Sequence, residues 1–267
     1  MKIGAVQMRV TDDKQQNLAT AADAVTQLAS QGADLVVLPE MFCCPYQTDQ
    51  FPVYAEPVDG PSFRWMSELA ARLGIWLVAG SMPESDGEGH VFNTSYVFNR
   101  KGQLAARHSK AHLFDINVTG GQYFRESDTL TAGSHATTFA TEFCTVGLCI
   151  CYDFRFPELA RKMVLAGAQL IVVPGAFNQT TGPAHWELLF RSRAVDNQIF
   201  TLGCAPARNQ AASYQSWGHS ILAGPWGNVI CQLDDQPGQI LETLDFSVVE
   251  RVRRDLPLLM HRRPELY

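Results

Sequence analysis

The chain has 267 residues, 46% apolar and 18% charged, with a formal net charge of −6. That is enough for one large α/β domain with a buried core, so a single domain over residues 1–267 is expected, and it is too apolar for a disordered protein. Scattered basic residues argue against a nucleic-acid partner, and no apolar run reaches membrane-spanning length.

The opening MKIGAVQMRV turns polar too soon for a signal peptide, and seven cysteines without disulfide-like spacing point to free thiols in a reducing cytoplasm. Residues 3–10 alternate and read as a strand. Thr11 or Asp12 can cap a helix to about residue 30, with Leu18, Ala22, Val25 and Leu28 on one face and Gly32 as its stop. Residues 34–40, DLVVLPE, form a short buried strand halted by Pro39. A helix capped near Asp59 or Ser62 carries Trp65, Leu69 and Leu73 and ends at Gly74. IWLVAGS is the next strand, and TSYVFNRKGQLAARHSK reads as a hairpin turning at Lys101-Gly102.

VGLCICYD is a strand leading into a helix over residues 156–166. LIVVPG is a strand, and residues 183–198 are helical with Pro183 in the first turn. IFTLGCA, HSILAGP, NVICQL and QILETLDF complete the strands, and residues 248–254 the helices. Strands alternating with helices, and apolar enough to be covered on both faces, predict a layered α/β architecture with helices outside.

Ligands in such sheets sit beyond the carboxyl ends of strands. Three of those ends carry Glu40, Lys110 and Cys151. A thiol of pKa about 8.5 needs a base or a positive field to attack. Glu40 can take its proton, the amino end of the following helix favours thiolate, and Lys110 with the backbone N–H of Tyr152 can stabilise an oxyanion. That is acyl-transfer chemistry. Cys149, two residues earlier and deeper in the strand, reads as a small buried filler. His108 and His112 stand four apart in HSKAH, but no Cys/His set has zinc spacing, so no metal is expected.

LPEMF around Glu40, RHSKAHLFD around Lys110 and GLCICYDFRFPELAR around Cys151 resemble the three motifs of the nitrilase superfamily, the carbon–nitrogen hydrolases. The resemblance implies a four-layer αββα sandwich, a catalytic Glu–Lys–Cys set, and a second glutamate, Glu126, positioning Lys110. HLFDINV, FRESDTL, PGAFNQTTGPAHWELLFRSRAVDNQ and SYQSWGHS look most like the ω-amidase branch. That branch implies hydrolysis of 2-oxoglutaramate or 2-oxosuccinamate to ammonia and the dicarboxylate, with no metal or organic cofactor. Arg155 would hold the distal carboxylate of the substrate, Thr181 and Tyr46 would donate hydrogen bonds to it, and Phe177 would wall the pocket. An ion pair with Glu158 competes for Arg155, and a helix cap for Thr181; His185 and Trp186 read as packing residues. The superfamily also implies a homodimer paired through an outer helical layer. Deaminated-glutathione amidase is the nearest alternative activity, and a catalytically silent binding module the alternative from another class. Thiol redox chemistry between Cys149 and Cys151 fits poorly, because neighbours two apart in a strand make poor disulfide geometry.

Overall fold

The computed structural model describes residues 1–120 and 122–266. The first half supplies strands β1 (Lys2–Gln7), β2 (Leu35–Val37), β3 (Trp76–Val78), β4 (Met82–Ser85), β5 (Val91–Phe98) and β6 (Leu104–Ser109). A short ribbon follows, β7 (Asp115–Asn117) with β8 (Tyr123–Arg125). The second half supplies β9 (Thr137–Ala140), β10 (Thr145–Leu148), β11 (Ala168–Pro174), β12 (Phe200–Cys204), β13 (Ile221–Ala223), β14 (Val229–Gln232) and β15 (Gly238–Thr243). The helices are α1 (Lys14–Ser30), the single turn α2 (Phe51–Tyr54), α3 (Pro61–Leu73), α4 (Pro157–Leu165), α5 (Gly182–Asn197) and α6 (Ser247–Asp255).

Among the described residues there are two large sheets. One runs β15-β1-β2-β3-β5-β4, with β6 also on β5; the other runs β14-β13-β12-β11-β10-β9. The centre of each is parallel, β1-β2-β3 and β10-β11-β12, and antiparallel strands flank it. The period of two explains the layering. Ile3, Ala5, Leu35 and Val37 face Val146, Leu148, Val172 and Leu202 of the other sheet in one core. Val6, Val36 and Leu77 point outward under α1 and α3, and Ile171 and Val173 point outward under α4 and α5. The chain is the expected αββα sandwich.

Local details differ from the sequence reading. β1 stops at Gln7, and Asp13 caps α1, its carboxylate accepting from the Gln16 N–H at 3.0 Å. Neither Asp59 nor Ser62 caps α3; Gly60 holds that position and Pro61 opens the helix. The Cys149 strand ends sooner, at Leu148, and a 3-10 turn, Cys151–Arg155, intervenes before α4.

Two glycines let the site-bearing loops approach. Gly80 has φ +53°, and a Cβ there would meet the Pro39 carbonyl oxygen at 2.1 Å. A Cβ on Gly133 would meet the Ser109 carbonyl at the same distance, and the Gly133 N–H donates to the Lys110 carbonyl at 2.8 Å. Larger residues at these positions would push Glu40 and Lys110 off their places.

Candidate active site

Glu40 lies just beyond β2, Lys110 immediately after β6, and Cys151 beyond β10, and all three are buried. The Lys110 ammonium donates to Glu40 Oε1 at 3.0 Å and to Glu126 Oε1 at 2.8 Å. Tyr46 donates its hydroxyl proton to Glu126 Oε1 at 2.6 Å and lies 3.2 Å from Glu40 Oε1. Glu40 Oε1 also accepts from Asn93 Nδ2 at 2.9 Å, and its Oε2 from the Ala176 N–H at 2.8 Å. Glu126 Oε2 accepts from the Phe114 N–H at 2.7 Å. Both carboxylates are thus held on two sides, the condition under which buried charges persist.

The Cys151 thiol lies close enough to Glu40 and Lys110 for both charges to act on it. Burial pushes this thiol far above its ordinary value; the Glu40 charge pushes the same way and Lys110 pulls back. The resting sulfur is therefore a thiol, with the Glu40 carboxylate nearby as its base. This corrects the expectation that a helix amino end would favour thiolate: α4 starts six residues later, and desolvation wins. Burial alone would strip the Lys110 proton, but Glu126 and Glu40 outweigh it and hold the ammonium charged. Burial lifts the Glu126 carboxyl above its usual range, against the pull of Lys110. Cys151 also has φ +47°, a left-handed conformation costly for a residue with a Cβ.

Cys151 opens on a small cavity lined also by Tyr152, Arg155, Phe177, Thr181 and Tyr214. The Arg155 guanidinium lies over the Phe177 ring, 4.5 Å from its centroid, and donates to His185 Nδ1 at 3.0 Å. Among the described residues no carboxylate pairs with it, so the alternative Glu158 ion pair is not formed. Burial draws its pKa below the usual value. Thr181 stands at the N-cap of α5 without capping it; its hydroxyl donates instead to Asn178 Oδ1 at 3.0 Å. Trp186 is buried packing, whereas His185 is exposed and holds Arg155, unlike the packing role expected of it. Cys149 is buried in the core under α4 and α5.

A Tyr214 hydroxyl donates to the Ala176 carbonyl at 2.5 Å, and its ring stacks 4.4 Å from Tyr46. Asn93, Ala176 and Tyr214 escaped the sequence reading. Asn93 alone left a signal, an amide inside a strand, where that residue type is depleted. Among the described residues no group of three or more His, Cys, Asp or Glu side chains is arranged to hold a metal ion.

The carbon–nitrogen hydrolase family profile matches residues 2–254. The chain belongs to that family. The carbon–nitrogen hydrolase is 47% identical over 266 residues to the omega-amidase NIT2 of Danio rerio, covering 100% of this chain and 96% of that one. It is 47% identical over 270 residues to the chloroplastic omega-amidase of Arabidopsis thaliana, covering 99% of this chain and 73% of that protein. Saccharomyces cerevisiae Nit3, a member of branch 10 of the nitrilase superfamily, superposes with a TM-score of 0.91 at 40% identity, over 98% of this chain and 96% of that one. The hydrolase acts on C–N amide bonds.

Proposed function

We propose that this carbon–nitrogen hydrolase is an ω-amidase, cleaving the side-chain amide of 2-oxo dicarboxylic acid monoamides such as 2-oxoglutaramate and 2-oxosuccinamate. The observation that carries the reading is Arg155, a guanidinium with no acid partner among the described residues, in the cavity onto which Cys151 opens. It suits a substrate with an amide at one end and a carboxylate at the other.

In this mechanism Glu40 takes the Cys151 proton as the sulfur attacks the amide carbon. The oxyanion rests on the Lys110 ammonium and the Tyr152 N–H, and Glu126 keeps Lys110 charged and in place. Glu40 returns the proton to the amide nitrogen, the C–N bond breaks, ammonia leaves and a thioester remains. Glu40 then deprotonates water, which attacks the thioester through a second oxyanion in the same hole; the sulfur leaves, the dicarboxylate is released and the thiol is restored. Thr181 and Tyr46 orient the substrate and Phe177 walls it. The route needs neither metal nor organic cofactor.

One domain, a cytoplasmic setting and a homodimer belong to the same reading. Seven free cysteines suit a reducing compartment, and no described helix is long and apolar enough to cross a membrane. The test is ammonia release from 2-oxoglutaramate, 2-oxosuccinamate, deaminated glutathione and a simple nitrile, with Arg155→Ala alongside. Release from the two oxo-acid amides, lost on removing Arg155, supports the assignment. Preference for deaminated glutathione moves it to that activity, and no release from any of the four leaves a binding module.

A further inference from the structure

His108 and His112 straddle Lys110, and neither enters the mechanism above. Both end on one carboxylate. Asp153 is fully buried and accepts five hydrogen bonds. Its Oδ1 receives the Ala111 N–H at 3.1 Å, the His112 N–H at 2.8 Å and His112 Nδ1 at 2.8 Å. Its Oδ2 receives His108 Nε2 at 2.9 Å and the Ile150 N–H at 3.1 Å. Four of these donors lie within two residues of Lys110. The fifth is the residue before Cys151, and Asp153 itself is two residues after it.

We propose that Asp153 is the positioning residue that fixes Lys110 against Cys151, with His108 and His112 as the two arms of the clamp. A carboxylate has about four lone-pair sites, so five donors saturate it and leave little freedom to either segment. The outer ends of the arms are fixed as well. His108 Nδ1 meets Thr137 Oγ1 at 2.9 Å on β9, and the His112 ring stacks on Phe156 with centroids 3.8 Å apart. Three of the five bonds go to backbone N–H groups, so the clamp sets the register of main chain beside both residues. Cys151 needs such a hold, because a left-handed φ at a residue with a Cβ persists only where its surroundings over-determine it.

The inference rests on Lys110 and Cys151 being the reacting pair. Asp153→Asn, His112→Ala and His112→Asn test it; asparagine at 112 places an amide nitrogen where the imidazole Nδ1 stands. Near-UV circular dichroism checks the fold, kcat and KM are measured on 2-oxosuccinamate, and the alkylation rate of Cys151 by iodoacetamide is measured without substrate. We expect Asp153→Asn to lower kcat by about 10²-fold, the scale of an ångström-sized misplacement. KM should stay within about twofold, since an interaction used only in the transition state leaves substrate binding alone. His112→Ala should lower kcat by about tenfold and His112→Asn should restore it, because one charge-assisted bond is lost and regained. Alkylation should slow in parallel with kcat. A folded Asp153→Asn protein with wild-type kcat, or with faster alkylation from a merely loosened pocket, overturns the clamp. So does His112→Asn behaving like His112→Ala, and that pair decides the matter if Asp153→Asn does not fold. Wild-type protein inactive on ω-amides, with the alkylation pattern intact, would sink the substrate reading and leave the clamp standing.

Discussion

The Lys110 ammonium lies 2.8 Å from Glu126 Oε1, and neither side chain is exposed to solvent. Glu126→Gln keeps the shape but removes the charge that offsets this buried cation, and it leaves either Lys110 or the Phe114 N–H facing an amide NH₂. A fall in kcat of about 10–10²-fold with the fold retained is expected, in line with losing preorganised electrostatics. Glu126→Ala removes the partner altogether, and breaking a buried pair costs about 3–5 kcal/mol. Urea denaturation reads the second effect. Wild-type kcat in Glu126→Gln would reduce Glu126 to a structural group.

The two neighbouring thiols should separate cleanly. Cys151→Ala is expected to abolish ammonia release, and mass spectrometry of wild-type enzyme quenched during turnover should find the acyl group on Cys151. Cys149→Ala should keep kcat and cost about 1 kcal/mol of stability, the scale of one buried methylene-sized group. An acyl group on Cys149 would refute the assignment.

The layered α/β architecture was legible because its signals are local, while the four-layer sandwich followed from the resemblance to the nitrilase superfamily. Apolar runs at strand period and helices stopped near Gly32 and Gly74 announce themselves within a few residues. The three strand ends gave Glu40, Lys110 and Cys151 for the same reason. What the sequence hid depends on contacts across long separations. Asn93 reaches Glu40 over 53 positions and the Ala176 N–H over 136. The short elements α2, β4, β7 and β8 carry too few residues for a period to show. Asp153 left a trace, an acid inside an apolar run, and such a residue is buried only with partners; its partners stand 41 to 45 positions away on the other sheet.

Arg155→Lys keeps a positive charge but loses the planar fork that spans His185 and a carboxylate, and the stacking on Phe177. KM for 2-oxosuccinamate should rise about tenfold, some 1.4 kcal/mol, with kcat little changed. A simple amide without a carboxylate should show no change in KM. An equal rise for both substrates would mean that Arg155 shapes the pocket rather than reading the anion.

Burial raises the Asp153 carboxyl, but its hydrogen bonds to His108 and His112, the charge of His108 and the Ile150 N–H outweigh this and hold it well below the usual carboxylate range. A depressed folded pKa contributes stability that is full above the unfolded value of about 3.9 and is lost as pH falls from there towards the folded value. Asp153→Asn should therefore be less stable than wild type at neutral pH, with the gap narrowing as pH drops below about 4. Urea midpoints of both proteins across pH 3–7 check the sign; a gap that widens on acidification contradicts it.

The outer face of α5 carries the argument for a second copy. Its inner face buries Trp186, Phe190 and Ala194, yet Leu188 is 61% exposed and Val195 42% exposed on the opposite side. Trp226, 66% exposed in the turn between β13 and β14, joins them, because Gly227 packs against Val195 and accepts from Arg191 Nε at 2.8 Å. Together they line a shallow hollow. Large apolar side chains grouped on an outer face mark a surface suited to a partner, and a two-fold dimer would bury this patch against its own copy. Sedimentation of the wild-type protein at micromolar concentration should give a dimer, and Leu188→Glu with Trp226→Glu should give a monomer of unchanged fold. Two charges facing their own copies across the axis would be brought together without partners, so the double variant cannot pair by the same face. A double variant that sediments as wild type would place the interface elsewhere, and a wild-type monomer would end the proposal.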